Sequence, residues 1–144
     1  MNVKALFSLL LVVTFFQTGI AQSPIGVWKT VDDNTGEAKS HVEIYEQNGK
    51  LYGKIVDLLL KPDDTVCTGC KGAKQGKPLV GMNIIWELKP YEDYYSYGTI
   101  MDPENGKEYK CNVWFEDGDT NELHVRGYIG MPALGRTQIW QKVK

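Results

Sequence analysis

The chain has 144 residues, of which 24% are charged and 42% are hydrophobic. This length fits one domain, and the composition excludes a disordered tail, a fibrous protein and a polytopic membrane protein. The net charge is −2, from 16 Lys and Arg against 18 Asp and Glu, without a long run of either sign, so we predict no nucleic-acid partner.

The first 21 residues have the order of a secretory signal peptide. Lys4 makes the N-terminal region positively charged, and residues 5–16 form an apolar segment. Gly19 and Ala21 are small residues of the kind that a signal peptidase recognises. A membrane-spanning helix needs about twenty apolar residues, and this run is shorter. We therefore predict a signal peptide over 1–21 and a single domain over 22–144. The protein is expected to be exported, to the periplasm or outside the cell, with no membrane insertion after the signal is removed.

A hairpin over residues 39–58 is the clearest structural unit of the mature chain. Asn48-Gly49 is the dipeptide that a type I′ turn prefers, because both central residues need positive φ. Pairing across this turn fixes a register and puts one face of the hairpin on the core side. The predicted pairs are Gln47–Lys50, Tyr45–Tyr52, Ile44–Gly53, Glu43–Lys54 and Val42–Ile55.

The remaining segments also alternate with a period of two and are separated by Gly, Pro, Asn and Asp, which is typical of strands. Eight short antiparallel strands in one domain favour a closed up-and-down barrel, because closure removes exposed strand edges. A two-sheet β-sandwich is the alternative fold. Besides the hairpin, the predicted strands are 26–30, 79–88, 94–101, 107–115, 123–129 and 136–142.

One connection, residues 61–78, is longer and more polar than a hairpin loop and contains two of the three cysteines. In an oxidising compartment an odd count leaves one thiol free. Cys67 and Cys70 could pair with each other, or either could pair with Cys111, and the sequence leaves this open. Cys111 falls in phase with apolar residues of its strand, which also fits a small buried side chain.

The sequence has no complete catalytic or metal-binding pattern, so we predict no metal, no cofactor and no enzymatic activity. A redox role for the Cys-x-x-Cys pair would require a helix N-terminus in a βαβ unit, which the pattern lacks. A zinc site would need His41 or His124 as fourth ligand, and both fall on polar strand faces. Residues 117–121 begin like a calcium loop, but Glu122 and Tyr128 stand where Gly and Glu are required.

Six ordered segments resemble an exported bacterial family known as domain of unknown function 2147. They are GVW at 26–28, NGKLYGKIV at 48–56, CTGC at 67–70, DPENGKEYKC at 102–111, RGYIG at 126–130 and GRTQIW at 135–140. The resemblance implies a lipocalin-like, calycin-type barrel and no particular activity. The likeness to lipocalins rests on Trp28 in the first strand and Arg136 in the last strand.

By analogy of fold, we expect a binding module for a small, partly apolar ligand, with an undetermined oligomeric state. The candidate ligand residues are Trp28, Tyr97, Arg136 and Trp140. If the first and last strands are neighbours, Arg136 should also lie over the Trp28 indole.

Two other functions stay open at this point: an envelope structural or interaction protein with a filled barrel, and a thiol-dependent enzyme. Interior residue size separates a binding module from a filled barrel. Free space beside the core-face glycines Gly53, Gly98 and Gly127 would favour a cavity, and bulky packing across them would favour a filled barrel.

Overall fold

The computed structural model describes residues 13–14 and 20–143. The predicted signal peptide lies largely outside this range. Within the described residues, no helix has the length and apolar character needed to cross a membrane.

Eight antiparallel strands close into one barrel in which each strand pairs with its neighbours in chain order. The predicted up-and-down barrel is confirmed, and the β-sandwich alternative is wrong. The fourth strand begins later than expected because Met82 N donates to Leu79 O, which makes residues 79–82 a turn. The strands are β1 Gly26–Val31, β2 Ala38–Gln47, β3 Lys50–Leu58, β4 Asn83–Tyr91, β5 Tyr94–Met101, β6 Glu108–Trp114, β7 Glu122–Tyr128 and β8 Arg136–Lys142.

The β2–β3 hairpin has the register that its turn dictates. Asn48 and Gly49 both adopt positive φ, 53° and 77°, as a type I′ turn requires. All five predicted pairs are present, and Val42, Ile44 and Ile55 face the core.

The barrel has a closed end and an open end. The connections from β2 to β3, from β4 to β5 and from β6 to β7 lie at the closed end. The other connections surround the open end: residues 32–37, 59–82, 102–107 and 129–135.

The closed half of the barrel is filled with side chains. Trp28 is fully buried, its indole Nε1 donates to Pro24 O at 2.8 Å, and its ring lies 5.9 Å from that of Phe115. The space beside two core-face glycines is also occupied, since a Cβ on Gly53 would lie 3.1 Å from Ile85 Cβ and one on Gly98 would overlap Leu88. This half therefore leaves no room for a ligand.

The seam between β1 and β8 is paired only near the closed end. Among the described residues, the two strands pair at Trp28–Lys142 and Lys29–Gln141, whereas β7 pairs with all residues of β8 from Arg136 to Gln141. Toward the open end, β1 and β8 therefore diverge and flank a cavity.

Candidate ligand-binding site

The open half of the barrel is hollow. A cavity of about 320 Å³, here called the inner lobe, lies between inward-facing side chains of the strands. Gly127 helps to leave this space, because a Cβ there would meet only Tyr109 and Ile100 at ordinary contact distances of 3.4 to 3.7 Å. The apolar wall is formed by Ile55, Ile84, Ile100, Val125 and Trp140.

A few polar groups are set into this apolar wall. The buried hydroxyls of Thr30 and Ser40 hydrogen-bond to each other, Oγ1 to Oγ, at 2.8 Å. Trp140 Nε1 donates to Gln138 Oε1 at 2.8 Å, which orients the Gln138 side chain and leaves its amide protons as donors. Apolar side chains combined with oriented polar groups are typical of a small-molecule site.

The rim of the inner lobe is charged. Lys39 Nζ donates to Glu104 Oε1 at 2.8 Å, and Arg136 forms an ion pair with Asp33. Backbone amides of residues 34 and 35 donate to Asp32 and lower the pKa of its carboxyl group, so this side chain stays ionised at neutral pH. Acidic and basic side chains thus surround an interior that combines apolar and polar groups.

A second space of about 310 Å³, here called the outer lobe, lies beneath the 59–82 connection. Its wall is largely apolar and contains Leu58, Leu60, Val66, Cys67 and Leu79. The two lobes are adjacent, because six residues line both of them: Asp32, Lys39, Ser40, Ile55, Pro103 and Glu104.

The wall of the outer lobe is held by a disulfide between Cys67 and Cys70. The four-residue loop packs closely on the β5–β6 turn: a Cβ on Gly69 would collide with Glu104 O, and one on Gly106 would lie 2.6 Å from Gly69 O. The stapled loop therefore supports the turn that carries Glu104.

The sequence left the cysteine pairing open, and the structure pairs Cys67 with Cys70. Cys111 has a free thiol that is fully buried on the inner face of β6. Burial raises the pKa of this thiol to about 12. Cys111 thus serves as a small apolar core residue, as its phase on the strand indicated.

Two of the four predicted ligand residues line the inner lobe, and two do not. Arg136 and Trp140 lie on its wall. Trp28 is part of the filled closed half, and Tyr97 points outward, with 65% of its surface exposed and its ring 5.6 Å from that of Tyr91.

The predicted contact between Arg136 and Trp28 is wrong. The strands run antiparallel, so Arg136 begins β8 at the open end, whereas Trp28 pairs with Lys142 near the closed end. Lys142 Nζ, not Arg136, lies over the indole at 5.9 Å. Arg136 is 72% exposed and pairs with Asp33.

The sequence reasoning missed several residues of the cavity. Gln138 shares the inward phase of Trp140 on β8, and alternation alone could have identified it. Lys39 and Glu104 gave no such signal, because they are 65 residues apart in the chain and meet only through the fold.

Neither histidine contributes to a metal site. His41 Nδ1 lies 3.0 Å from Asp57 Oδ2, and the His124 ring stacks on Trp114 at 5.3 Å. Within the part of the chain that the structure describes, no group of three or more His, Cys, Asp or Glu is arranged to hold a metal ion.

Comparisons with known proteins support both the fold and the family resemblance. A family model described as "Uncharacterized protein conserved in bacteria (DUF2147)" matches residues 26–142. The solved structure of protein HP1028 from the human pathogen Helicobacter pylori, described as belonging to the lipocalin family, is similar with a TM-score of 0.73 and 19% identity, covering 85% of this chain and 84% of that one. No curated protein matches the chain in sequence.

Proposed function

We propose that this chain, which belongs to the DUF2147 family of uncharacterized bacterial proteins, is a binding module that holds a small, partly apolar ligand. The observation that carries the proposal is the division of one barrel into a filled closed half and a hollow open half. We propose binding and not catalysis, because the Thr30 and Ser40 hydroxyls of the cavity hydrogen-bond to each other and the Glu104 carboxylate pairs with Lys39, so that among the described residues neither hydroxyl is hydrogen-bonded to a base.

The size and chemistry of the inner lobe support this proposal. Ligand sites usually enclose about 300 to 1,000 Å³ and combine apolar walls with a small number of oriented polar groups. The inner lobe, at about 320 Å³, is at the small end of that range. The lipocalin-like fold adds support at the level of architecture, since an eight-stranded barrel can hold one small ligand at its mouth.

We also propose that the protein acts after export, in the periplasm or outside the cell. The order of charged, apolar and small residues over 1–21 supports this, and a disulfide is compatible with an oxidising compartment. The intact mass of the exported protein should correspond to a chain that begins at Gln22. A mature form that keeps Met1 would contradict the export signal.

Uptake of N-phenyl-1-naphthylamine, a neutral dye that fluoresces in apolar sites, tests the binding function. We expect saturable binding of one dye molecule per chain. Gly127→Leu should reduce the dye affinity at least tenfold, because the new side chain would occupy the inner lobe beside Tyr109 and Ile100. His124→Leu is the matched control, since it adds the same side chain to the outward face of β7. Absence of saturable uptake, or equal uptake by the Gly127→Leu variant, would overturn the proposal.

A further inference from the structure

The boundary between the two lobes is mostly polar. Four of the six residues that line both lobes carry polar side chains, and these four are here called the waist: Asp32, Lys39, Ser40 and Glu104. On either side of the waist, each lobe has apolar side chains on its wall: Ile84, Ile100 and Val125 in the inner lobe, and Leu58, Leu60 and Leu79 in the outer lobe.

The waist offers a ligand both hydrogen-bond donors and hydrogen-bond acceptors. Lys39 Nζ has three N–H donors and uses one in its hydrogen bond to Glu104, so two donors remain for a carbonyl oxygen. Glu104 accepts this hydrogen bond through Oε1, and its second carboxylate oxygen is an acceptor for an N–H or O–H group. An amide or a similar uncharged group therefore matches the waist better than a hydrocarbon would.

The ion pair across the waist is a weak barrier. Its side chains are 28% and 48% exposed, and exposed ion pairs contribute little to stability. A ligand that passes between the lobes can displace this contact and regain hydrogen bonds from the same two groups.

The outer lobe has apolar surface that the protein itself does not cover. Leu60 and Val66 lie on its wall, yet they remain 49% and 41% exposed. The Cys67–Cys70 disulfide and the close packing of Gly69 on the β5–β6 turn hold this wall in place. Apolar ligand atoms placed here would bury this surface against a preformed wall.

We propose that the ligand is an uncharged molecule with two apolar arms joined by a central polar group, with one arm in each lobe and the polar group at the waist. This inference rests on the proposed binding function and adds the outer lobe and the ligand class to it. Lys39 and Glu104 are then the residues that position the polar group, and Leu60 and Val66 contact the second arm.

Two amides of identical composition test the position of the polar group. N-hexylhexanamide has its amide between two six-carbon arms, and dodecanamide has it at one end of a single chain. In displacement of the naphthylamine dye, the central amide should bind at least tenfold more tightly. Equal or tighter binding of dodecanamide would overturn the two-armed ligand class.

A second comparison tests occupation of the outer lobe. N-hexylhexanamide should bind at least about thirtyfold more tightly than N-methylhexanamide, since each buried methylene contributes up to about fourfold. Leu60→Trp and Val66→Trp should fill the outer lobe and reduce this gain to about threefold or less. Leu59→Trp is the matched control and should keep the gain, because Leu59 is also exposed and adjacent in the chain but does not line the lobe.

The outcomes separate this inference from the function on which it rests. If the dye and N-methylhexanamide bind but the second arm adds nothing, or if the gain persists in both tryptophan variants, the outer lobe is not part of the site and the inference is wrong. If the dye itself does not bind, the binding function fails first.

Discussion

Cys111 lies on the inner face of β6, where burial raises the pKa of its thiol to about 12 from an ordinary value of 9.0. The thiolate is the reactive form, so this cysteine should be inert in the folded protein. We expect no reaction with Ellman's reagent at pH 8 until the chain is unfolded without reductant, and then one thiol per chain. Reaction in the folded state, or three thiols after unfolding, would contradict the assigned burial and pairing.

The same pKa shift makes stability depend on pH. Between about pH 9 and pH 12 the unfolded chain loses the Cys111 proton while the folded chain keeps it. The folded state then binds more protons than the unfolded state, so the free energy of unfolding should fall as pH rises through this window. Cys111→Ala should remove this part of the pH dependence in alkaline urea titrations.

Substitutions of Ile44 and Ile55 compare how much one buried side chain stabilises the filled half and the hollow half of the barrel. Both are almost fully buried, but Ile55 lines both lobes, whereas Ile44 does not line either. Ile44→Ala should cost about 3 to 5 kcal/mol, and Ile55→Ala closer to about 2 kcal/mol, because a cavity wall has fewer packing partners to lose. Urea unfolding measures both, with exposed Ile139→Ala as a control that should cost less than about 0.5 kcal/mol. A larger loss of unfolding free energy for Ile55→Ala than for Ile44→Ala would contradict the division of the barrel into a filled half and a hollow half.

At the scale of elements, β8 is paired with β1 near the closed end, and near the open end an ion pair links it to the 32–37 connection. A double-mutant cycle distinguishes these two regions. Arg136→Ala and Trp28→Phe should be additive within about 0.5 kcal/mol, because the two side chains lie at opposite ends of the barrel. Arg136→Ala and Asp33→Ala should show a small coupling, under about 1 kcal/mol, since the arginine is mostly exposed. Coupling between Arg136 and Trp28 would contradict the described seam.

The elements themselves were predictable to different degrees. The β2–β3 register followed from Asn48-Gly49, because a two-residue turn and a period of two leave one alignment that buries Ile44. The predicted contact of Arg136 with Trp28 was wrong because it took into account that β1 and β8 are neighbours but not that they run antiparallel. Strand adjacency alone does not determine which residues meet.

At the scale of the whole molecule, the cavity depends on which large side chains lie opposite the glycines. Gly53 and Gly98 face Ile85 and Leu88, which fill the space that the glycines leave. Beside Gly127 the neighbouring side chains stand farther off, and the inner lobe remains. The sequence identified these three glycines as decisive, but which of them borders a cavity depends on strand bulges and on the twist of the sheet. Neither is encoded in local alternation.

The site could be predicted only in part, for a related reason. Arg136 was a candidate because the likeness to lipocalins rests on it, and Trp140 was a candidate because it is a large aromatic residue of the last strand. The outer lobe and the Lys39–Glu104 waist are formed where three connections meet, 32–37, 59–82 and 102–107, and contacts between loops leave no periodic signal in a sequence.

A native mass spectrum of the protein purified from its own cells, without added ligand, tests the central claim most directly. We expect a population of protein molecules that carries the added mass of one small molecule per chain. This mass should be lost in Gly127→Leu and kept in His124→Leu, because only the first substitution fills the inner lobe. A spectrum showing the bare chain alone, or an adduct equally abundant in both variants, would contradict a ligand-binding cavity at the open end.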